Sequence, residues 1–469
     1  LTTDCFFDTM NGQKDHSERR CGVWRMTVER LSLFRLAWPI FLELFLITLV
    51  GFVNVFILSK YDSVAAAAVE ATNQILWNFL LVFAIISLGT SVLVAQNVGA
   101  ARPETINKVV AVSLFFNTIL GLAASMTLLL GGQELLMFMG IADDLLGYAH
   151  TYLLLAGGFI FFDALLSSAD AVLKGFGRTK QCLAITAFMN VLNLIGSAVL
   201  GLGFAGMVPA LGVQGVAIAA VVSKGVAVCS AWTYLFTNMI KVDIWRQLLS
   251  FPVTELKQLL KIGFPAAMEN MSYNLSQTVL MMIIIVHLGA DAYITRTYAW
   301  SVIKMAFLFS LAIGQANIIM IGQLVGAGKF VEAEKAGMKN FWIAFKAAWL
   351  IGGILFLFRY YFMEIFTMDA WIIGLGALIF TIDAFLEPGR TFNIVFIYGL
   401  RGAGDVNFPV IIAVLSMWSV TIGLGYYLGV ILGLGLPAIW AVMLMDEWLR
   451  GLCMLWRWKS GAWKAKAVV

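Results

Sequence analysis

Long apolar runs recur along the chain at nearly even intervals, each closed off by a short polar stretch. A run of about twenty apolar residues is what an α-helix needs to cross a hydrocarbon core of roughly 30 Å. The pattern predicts twelve spans, near residues 34–58, 70–97, 108–131, 149–173, 181–205, 213–236, 263–288, 294–324, 339–361, 371–399, 407–432 and 434–456. The polar stretches between them alternate in charge. The basic ones are the N-terminal arm, the segment around Arg102 and Lys108, "KGFGRTK", the 238–262 loop, the Lys329–Lys339 segment, Arg401 and the tail "RWKSGAWKAK". The others carry Glu134, Asp143, Asp144, Asp291, Glu364 and Asp369. Basic loops stay in the cytoplasm, so both termini are expected there.

The two halves of the chain match each other. Pro39 pairs with Pro265 and Glu43 with Glu269 at an offset of 226. Gln96 pairs with Gln323, Gly99 with Gly326, Gly175 with Gly402 and Gly177 with Gly404 at 227. Matches in one order at one offset mark an internal repeat. Six spans per repeat is an even number, so both halves enter from the same side. They are then related by an axis along the membrane normal, with a cavity between them. The expected organisation is a polar cytoplasmic arm (1–30), an N-lobe (31–237), a cytoplasmic linker (238–262), a C-lobe (263–457) and a basic tail (458–469).

Composition narrows the class. The chain of 469 residues is 61% hydrophobic and 12% charged, with mean hydropathy +0.90; soluble domains average about 25% charged. The net charge of +4 belongs to the loops, so membrane lipids are expected as partners and nucleic acid is not. No secretory signal pattern opens the chain. The five cysteines and three histidines are scattered without ligand spacing, and neither a metal site nor a cofactor is expected. There is no GxxxxGK[ST] phosphate loop and no nucleophile–base constellation. The chain reads as neither an ATPase nor an enzyme.

Charges inside apolar runs are the candidate chemistry, because they are expensive there and face a bundle interior or a wet cavity. Arg390, in "EPGR", maps by the 227 offset onto Asp163. Each precedes the basic residue that ends its span, Arg401 or Lys174, by eleven residues. That is roughly 16 Å of helix, or half the membrane. Asp163 and Arg390 are therefore expected near the midplane of opposite lobes, either in an inter-lobe or intra-lobe salt bridge that fixes packing or as gating and substrate residues. Glu387 is spaced to pair with Arg390 along the helix, and Pro388 and Gly389 predict a kink between them. Glu43 and Glu269 each follow a proline by four residues. Each is either a coupling carboxylate that loads and releases an ion near neutral pH or a partner for carbonyls freed by the proline. Asn54, Asn190, Asn193 and Asn393 are further polar candidates, as cavity lining or as interhelical hydrogen-bond glue.

In its motifs the chain resembles the multidrug and toxic compound extrusion (MATE) family. These are "PIFLE" in the first span, "VAQNVGA" ending the second, "LKGFGRTK" followed by "NVLN", "GVQGVAIA" opening the sixth and "LRGAGD" in the second half. "EPGR" looks like a feature of a bacterial subgroup. The resemblance implies an all-α, V-shaped bundle of two six-helix lobes in a bacterial inner membrane. It also implies antiport of amphipathic or aromatic organic compounds against H+ or Na+, by a chain expected to be a monomer. Three acidic positions of many relatives are here Asn54, Ser197 and Arg390. The remaining candidates for the coupling ion are Asp163, Glu43, Glu269 and Glu387, with Asp163 and Arg390 foremost. A lipid-linked-precursor flippase, or an exporter of anionic aromatic metabolites drawn by Arg390, is the alternative.

Overall fold

The computed structural model describes residues 32–204, 207–240 and 252–468. The expected N-terminal arm (1–30) and residues 241–251 of the 238–262 linker lie outside the described residues. The described chain is helical throughout, with an isolated antiparallel bridge between Phe204 and Val208. In chain order the helices are α1 (Leu33–Tyr61), α2 (Ser63–Gly99), α3 (Pro103–Phe138), α4 (Asp143–Gly157), α5 (Phe161–Gly175), α6 (Thr179–Gly201) and α7 (Val213–Asn238). They continue as α8 (Val253–Leu288), α9 (Ala290–Gly326), α10 (Phe330–Leu357), a short α11 (Arg359–Glu364), α12 (Ala370–Gly402), α13 (Asn407–Ile431) and α14 (Gly435–Lys459). Polar residues set the starts. Ser32 accepts from the Arg35 amide, Asp62 from Val64, and Asp369 from Trp371 and Ile372, satisfying amides that have no partner within the helix.

Ten of these helices are long and apolar enough to span a membrane, and α4 with α5 makes an eleventh. The fourth expected span, 149–173, is thus corrected to two helices bent by 47° at Gly158–Ile160. Helix α14 is 25 residues long but carries Asp446, Glu447 and Arg450 at mid-length. Asp446 and Arg450 are buried against protein, which is how a charged helix is tolerated at membrane depth. Helix α8 begins at Val253, within the stretch 238–262 expected to link the lobes. The kink expected at Pro388 does not interrupt the helix, as α12 runs unbroken through Pro388 and Gly389. The Trp448 indole lies against Gly389 and donates to the Phe385 carbonyl at 3.0 Å, supplying hydrogen bonding beside the proline.

The lobes meet at the end that carries the basic loops. Leu33, Leu36, Ala37 and Ile40 of α1 pack into the C-lobe core, and Leu259, Ile262 and Ala266 of α8 pack into the N-lobe core. Beyond Pro39 and Pro265 each helix returns to its own lobe. Ile57 and Leu58 join an N-lobe cluster, and Leu280 and Ile284 a C-lobe cluster, neither of which has members from the other half. Shared core at one end and separate cores at the other make a V.

At the shared end the backbones nearly touch. A side chain at Gly99 would collide with the Gln323 carbonyl, and one at Gly326 with the Gln96 carbonyl. Reciprocal amide bonds hold this seam. Gln96 Nε2 donates to the Gly402 carbonyl at 2.8 Å, and Gln323 Nε2 to the Gly175 carbonyl at 2.9 Å.

Candidate functional site

Helix α5 presents Asp163, Ser167, Asp170 and Lys174 on one stripe, because spacings of three and four residues share a helix face. The stripe borders a cavity of about 300 Å³ whose walls include Glu43, Trp77, Asp163, Asp170 and Thr186. Asp163 Oδ2 lies 2.7 Å from Lys224 Nζ of α7. Lys174 Nζ lies 2.7 Å from Asp170 Oδ2 and 3.2 Å from Glu43 Oε1. The second Glu43 oxygen is buried without a protein partner. Three carboxylates therefore share two ammonium groups, leaving one negative charge uncompensated. Asp163 and Asp170 keep 16% and 28% of their side-chain surface open, so the cluster is reachable from the cavity.

Between α1 and α6 lies a neutral cluster. Asn54 Nδ2 donates to Asn193 Oδ1 at 2.8 Å. Asn54 Oδ1, Asn190 Nδ2 and Ser197 Oγ are buried without protein partners. Asn54 and Asn193 are thus brought together, with Asn190 three residues before Asn193 on α6 and a π turn that opens at Ser197, four residues after it.

The C-lobe holds a larger cluster. Arg390 pairs with Glu387, and its guanidinium lies 5.5 Å from the Phe307 ring centre and 5.9 Å from that of Trp300. Asp383 Oδ1 accepts from Trp440 Nε1 at 3.2 Å. Asn393 Nδ2 donates to Glu447 Oε2 at 2.8 Å, and Arg450 lies 3.1 Å from Glu447 and 2.5 Å from Asp446. Ser416 bonds to Asp446. Four carboxylates here face two guanidinium groups, and Asp383, Glu387 and Asp446 are all but sealed from the surface.

Of the packing salt bridges open to Asp163 and Arg390, across the cleft or within a lobe, the structure has the second kind. Each is neutralised inside its own lobe, Asp163 by Lys224 and Arg390 by Glu387. The V separates the lobes above the seam, so a partner on the same or a neighbouring helix wins over one across the cleft. Glu43 and Glu269 are instead tied to the basic residues that end α5 and α12, with Arg401 Nη2 2.6 Å from Glu269 Oε2. Lys174 and Arg401 directly precede Gly175 and Gly402, the acceptors of the seam. Each first-helix glutamate is thus one residue away from a bond that closes the lobes.

The sequence reading passed over Lys224, and took Asp446, Glu447 and Arg450 only as part of "DEWLRGLCMLWRWKSGAW", a stretch that like "EPGR" looks like a subgroup feature, not as site residues. Lys224 had a signal, as the lone charge in "VAIAAVVSKGVAVCSAW", and the repeat places it one residue from Arg450.

The comparisons with known proteins agree with this architecture. The family profile MatE matches residues 39–199 and again 265–427, so its two copies start on Pro39 and Pro265. An uncharacterized transporter of Bacillus subtilis, YisQ, is 35% identical over 438 residues, covering 93% of this chain and 96% of its own. A probable multidrug resistance protein NorM of Thermotoga maritima is 26% identical over 446 residues, 94% of each chain. The solved MATE transporter VcmN of Vibrio cholerae, in its bent form, superposes with a TM-score of 0.84 at 17% identity, over 92% of this chain and 97% of that one. That last likeness concerns the fold alone.

Proposed function

Because the chain belongs to the MatE family of multidrug and toxic compound efflux transporters, we propose that it is a proton-coupled antiporter. Its cargo would be an organic, amphipathic or aromatic compound. The observation that carries the reading is the N-lobe cavity, where Glu43, Asp163 and Asp170 share only Lys174 and Lys224. One uncompensated charge in a reachable site is a place for one monovalent cation.

A proton suits this site better than sodium. Lys174 Nζ already occupies the space between Glu43 and Asp170 at 3.2 and 2.7 Å. A metal ion on the same oxygens would sit near that ammonium, at a repulsion of about 4 kcal/mol for 4 Å in an effective dielectric of 20. A proton neutralises a carboxylate without adding a second point charge. Protonation of Glu43 or Asp170 loosens Lys174, and the next residue, Gly175, is the acceptor of the Gln323 bond across the seam. In this reading, ion loading and gate opening act through adjacent residues.

The basic loops, including the seam, are assigned to the cytoplasm, with twelve spans in a bacterial inner membrane and α14 as the twelfth. The seam is then closed inward and the V open outward. Both charged clusters have more carboxylates than cations, which favours cationic or neutral cargo. Arg390 is occupied by Glu387, which weighs against an anionic aromatic metabolite and against a flippase with a cationic cavity. The chain acts as a transporter, and no bond-making step is assigned to it.

The test is export of a cationic aromatic dye from proteoliposomes under imposed gradients. A pH gradient is expected to drive transport and a sodium gradient is not. Glu43→Gln and Asp170→Asn are expected to keep downhill dye movement and lose pH-driven accumulation by at least about tenfold, the ~1.4 kcal/mol scale of one lost pK unit of coupling. Sodium-driven transport, or intact pH drive in both variants, overturns the proposal.

A further inference from the structure

After α14 the chain turns at Gly461 and runs back over the inner seam. Trp463 is fully buried and stacks on Trp458, with ring centres 4.6 Å apart and planes 12° apart. Its Nε1 donates to the Trp458 carbonyl at 2.9 Å, and Lys464 pairs with Glu334 at 2.6 Å. These contacts anchor the segment in the C-lobe. The next residues run along it to the seam. The Lys466 carbonyl passes against Gly404, where φ is +92° and a side chain would strike it. Ala467 touches the C-lobe core, and Val468, whose side chain lies beside Gly404, packs on the mixed core in which Ile318 and Val406 join N-lobe residues. The Val468 amide then donates to Gln96 Oε1 at 3.0 Å.

Gln96 is the residue whose Nε2 crosses to Gly402. Its side-chain amide is thus satisfied on both sides, by the C-lobe helix end and by the returning segment. The repeat supplies a control. Gln323 makes the matching bond to Gly175, yet its Oε1 is buried without a protein partner. The returning segment therefore adds something to one half of the seam that the repeat does not require.

We propose that residues 462–468 form a latch on the inner gate. It is anchored in the C-lobe by the Trp458–Trp463 stack and closed on the N-lobe by the Val468–Gln96 bond, and it must release before the lobes part on the cytoplasmic side. Opening the seam moves the N-lobe helix α2, which carries Gln96, away from a segment rooted in the other lobe. The latch biases the resting protein toward the inward-closed state and sets how often the cytoplasmic side is offered to cargo. It rests on the reading of the chain as an alternating-access transporter, without depending on which ion or cargo is carried.

The test reads lobe separation directly. Ile318 of α9 is buried in a core cluster made mostly of N-lobe side chains. A cysteine there, with the five native cysteines replaced, is alkylated by N-ethylmaleimide when the seam opens. Val468→Pro removes the donor, and the preceding residue already has φ −53° and ψ 140°, a conformation that proline accepts before it. This variant is expected to be labelled about fivefold faster, the equivalent of one net hydrogen bond of ~1 kcal/mol. A chain ended after Gly461 is expected to label at least as fast. If the truncated protein fails to fold, Val468→Pro decides alone. A rate within about twofold of the parent for Val468→Pro, in folded protein, refutes the latch. Labelling needs neither ion nor cargo. Failure here leaves the antiport reading standing, and failure of the Glu43→Gln experiment leaves the latch standing.

Discussion

Replacing Lys224 by methionine separates a structural ion pair from an ion carrier. The Asp163–Lys224 pair is 2.7 Å long, with side-chain exposures of 16% and 29%. At an effective dielectric of 20 the gross attraction at that distance is about 6 kcal/mol. Desolvation of both groups cancels much of it, so the pair is worth little compared with two apolar residues. Removing one partner is different, because it leaves Asp163 uncompensated beside an apolar wall. In a fully buried site that costs about 3–5 kcal/mol, and the open fraction of this pair lowers the expected loss to about 2–3 kcal/mol. Lys224→Met should therefore unfold earlier in a detergent thermal-stability assay. It should also bind a second proton in the cavity, since three carboxylates would then share one lysine. The double variant Asp163→Asn/Lys224→Met restores one uncompensated charge on Glu43 and Asp170. It should recover most of the stability and the pH-driven transport that Lys224→Met loses. The four proteins form a double-mutant cycle, with an expected coupling of about 2 kcal/mol. Transport that stays dead in a folded, stable double variant would show Asp163 to be the carrier and refute the division of labour argued from the geometry.

Arg390→Met should destabilise by about 3–5 kcal/mol by leaving Glu387 buried and unpaired, and Arg390→Met/Glu387→Gln should regain most of that loss in the same assay. Gly99→Ala and Gly326→Ala each put a methyl group into a carbonyl of the other lobe. Both should hold the seam apart and raise alkylation at a cysteine in place of Ile318, whereas Gly353→Ala, which meets nothing, should not. Asn54→Asp puts a charge against Asn193, which lies one helical turn from Asn190 and from Ser197 on α6. It is expected to add sodium dependence to dye export, and export indifferent to sodium would remove the amide cluster from any role in ion binding.

Several features were legible because they depend only on a residue and its near neighbours in sequence. Apolar runs located the spans, and the Glu387–Arg390 spacing announced its own pair. Other features were not. The fourth span was expected to be whole, yet its chain bends between Gly157 and Phe161, inside a continuous hydrophobic run. Helix α14 was expected as an ordinary span, and its buried Asp446 and Arg450 became intelligible only beside Ser416 and Glu447. The repeat aligned Glu43 with Glu269, Lys174 with Arg401, and Gln96 with Gln323, but an alignment of equivalents does not say which of them touch. Asp163 and Arg390 are equivalents that stay apart, whereas Gln96 and Gly402 are not equivalents and are bonded.

By itself, then, the sequence determined a two-lobed helical bundle with a small set of charges inside it, because hydrophobicity and helix periodicity are properties of short stretches of chain. The tertiary structure decided which charges cancel, which carboxylate is left over and where the lobes are tied. Lys224 is 61 residues from Asp163, and Val468 is 372 from Gln96. At membrane depth a charge is settled by whatever group the packing brings within about 3 Å, and that neighbour is chosen by the helices as they assemble.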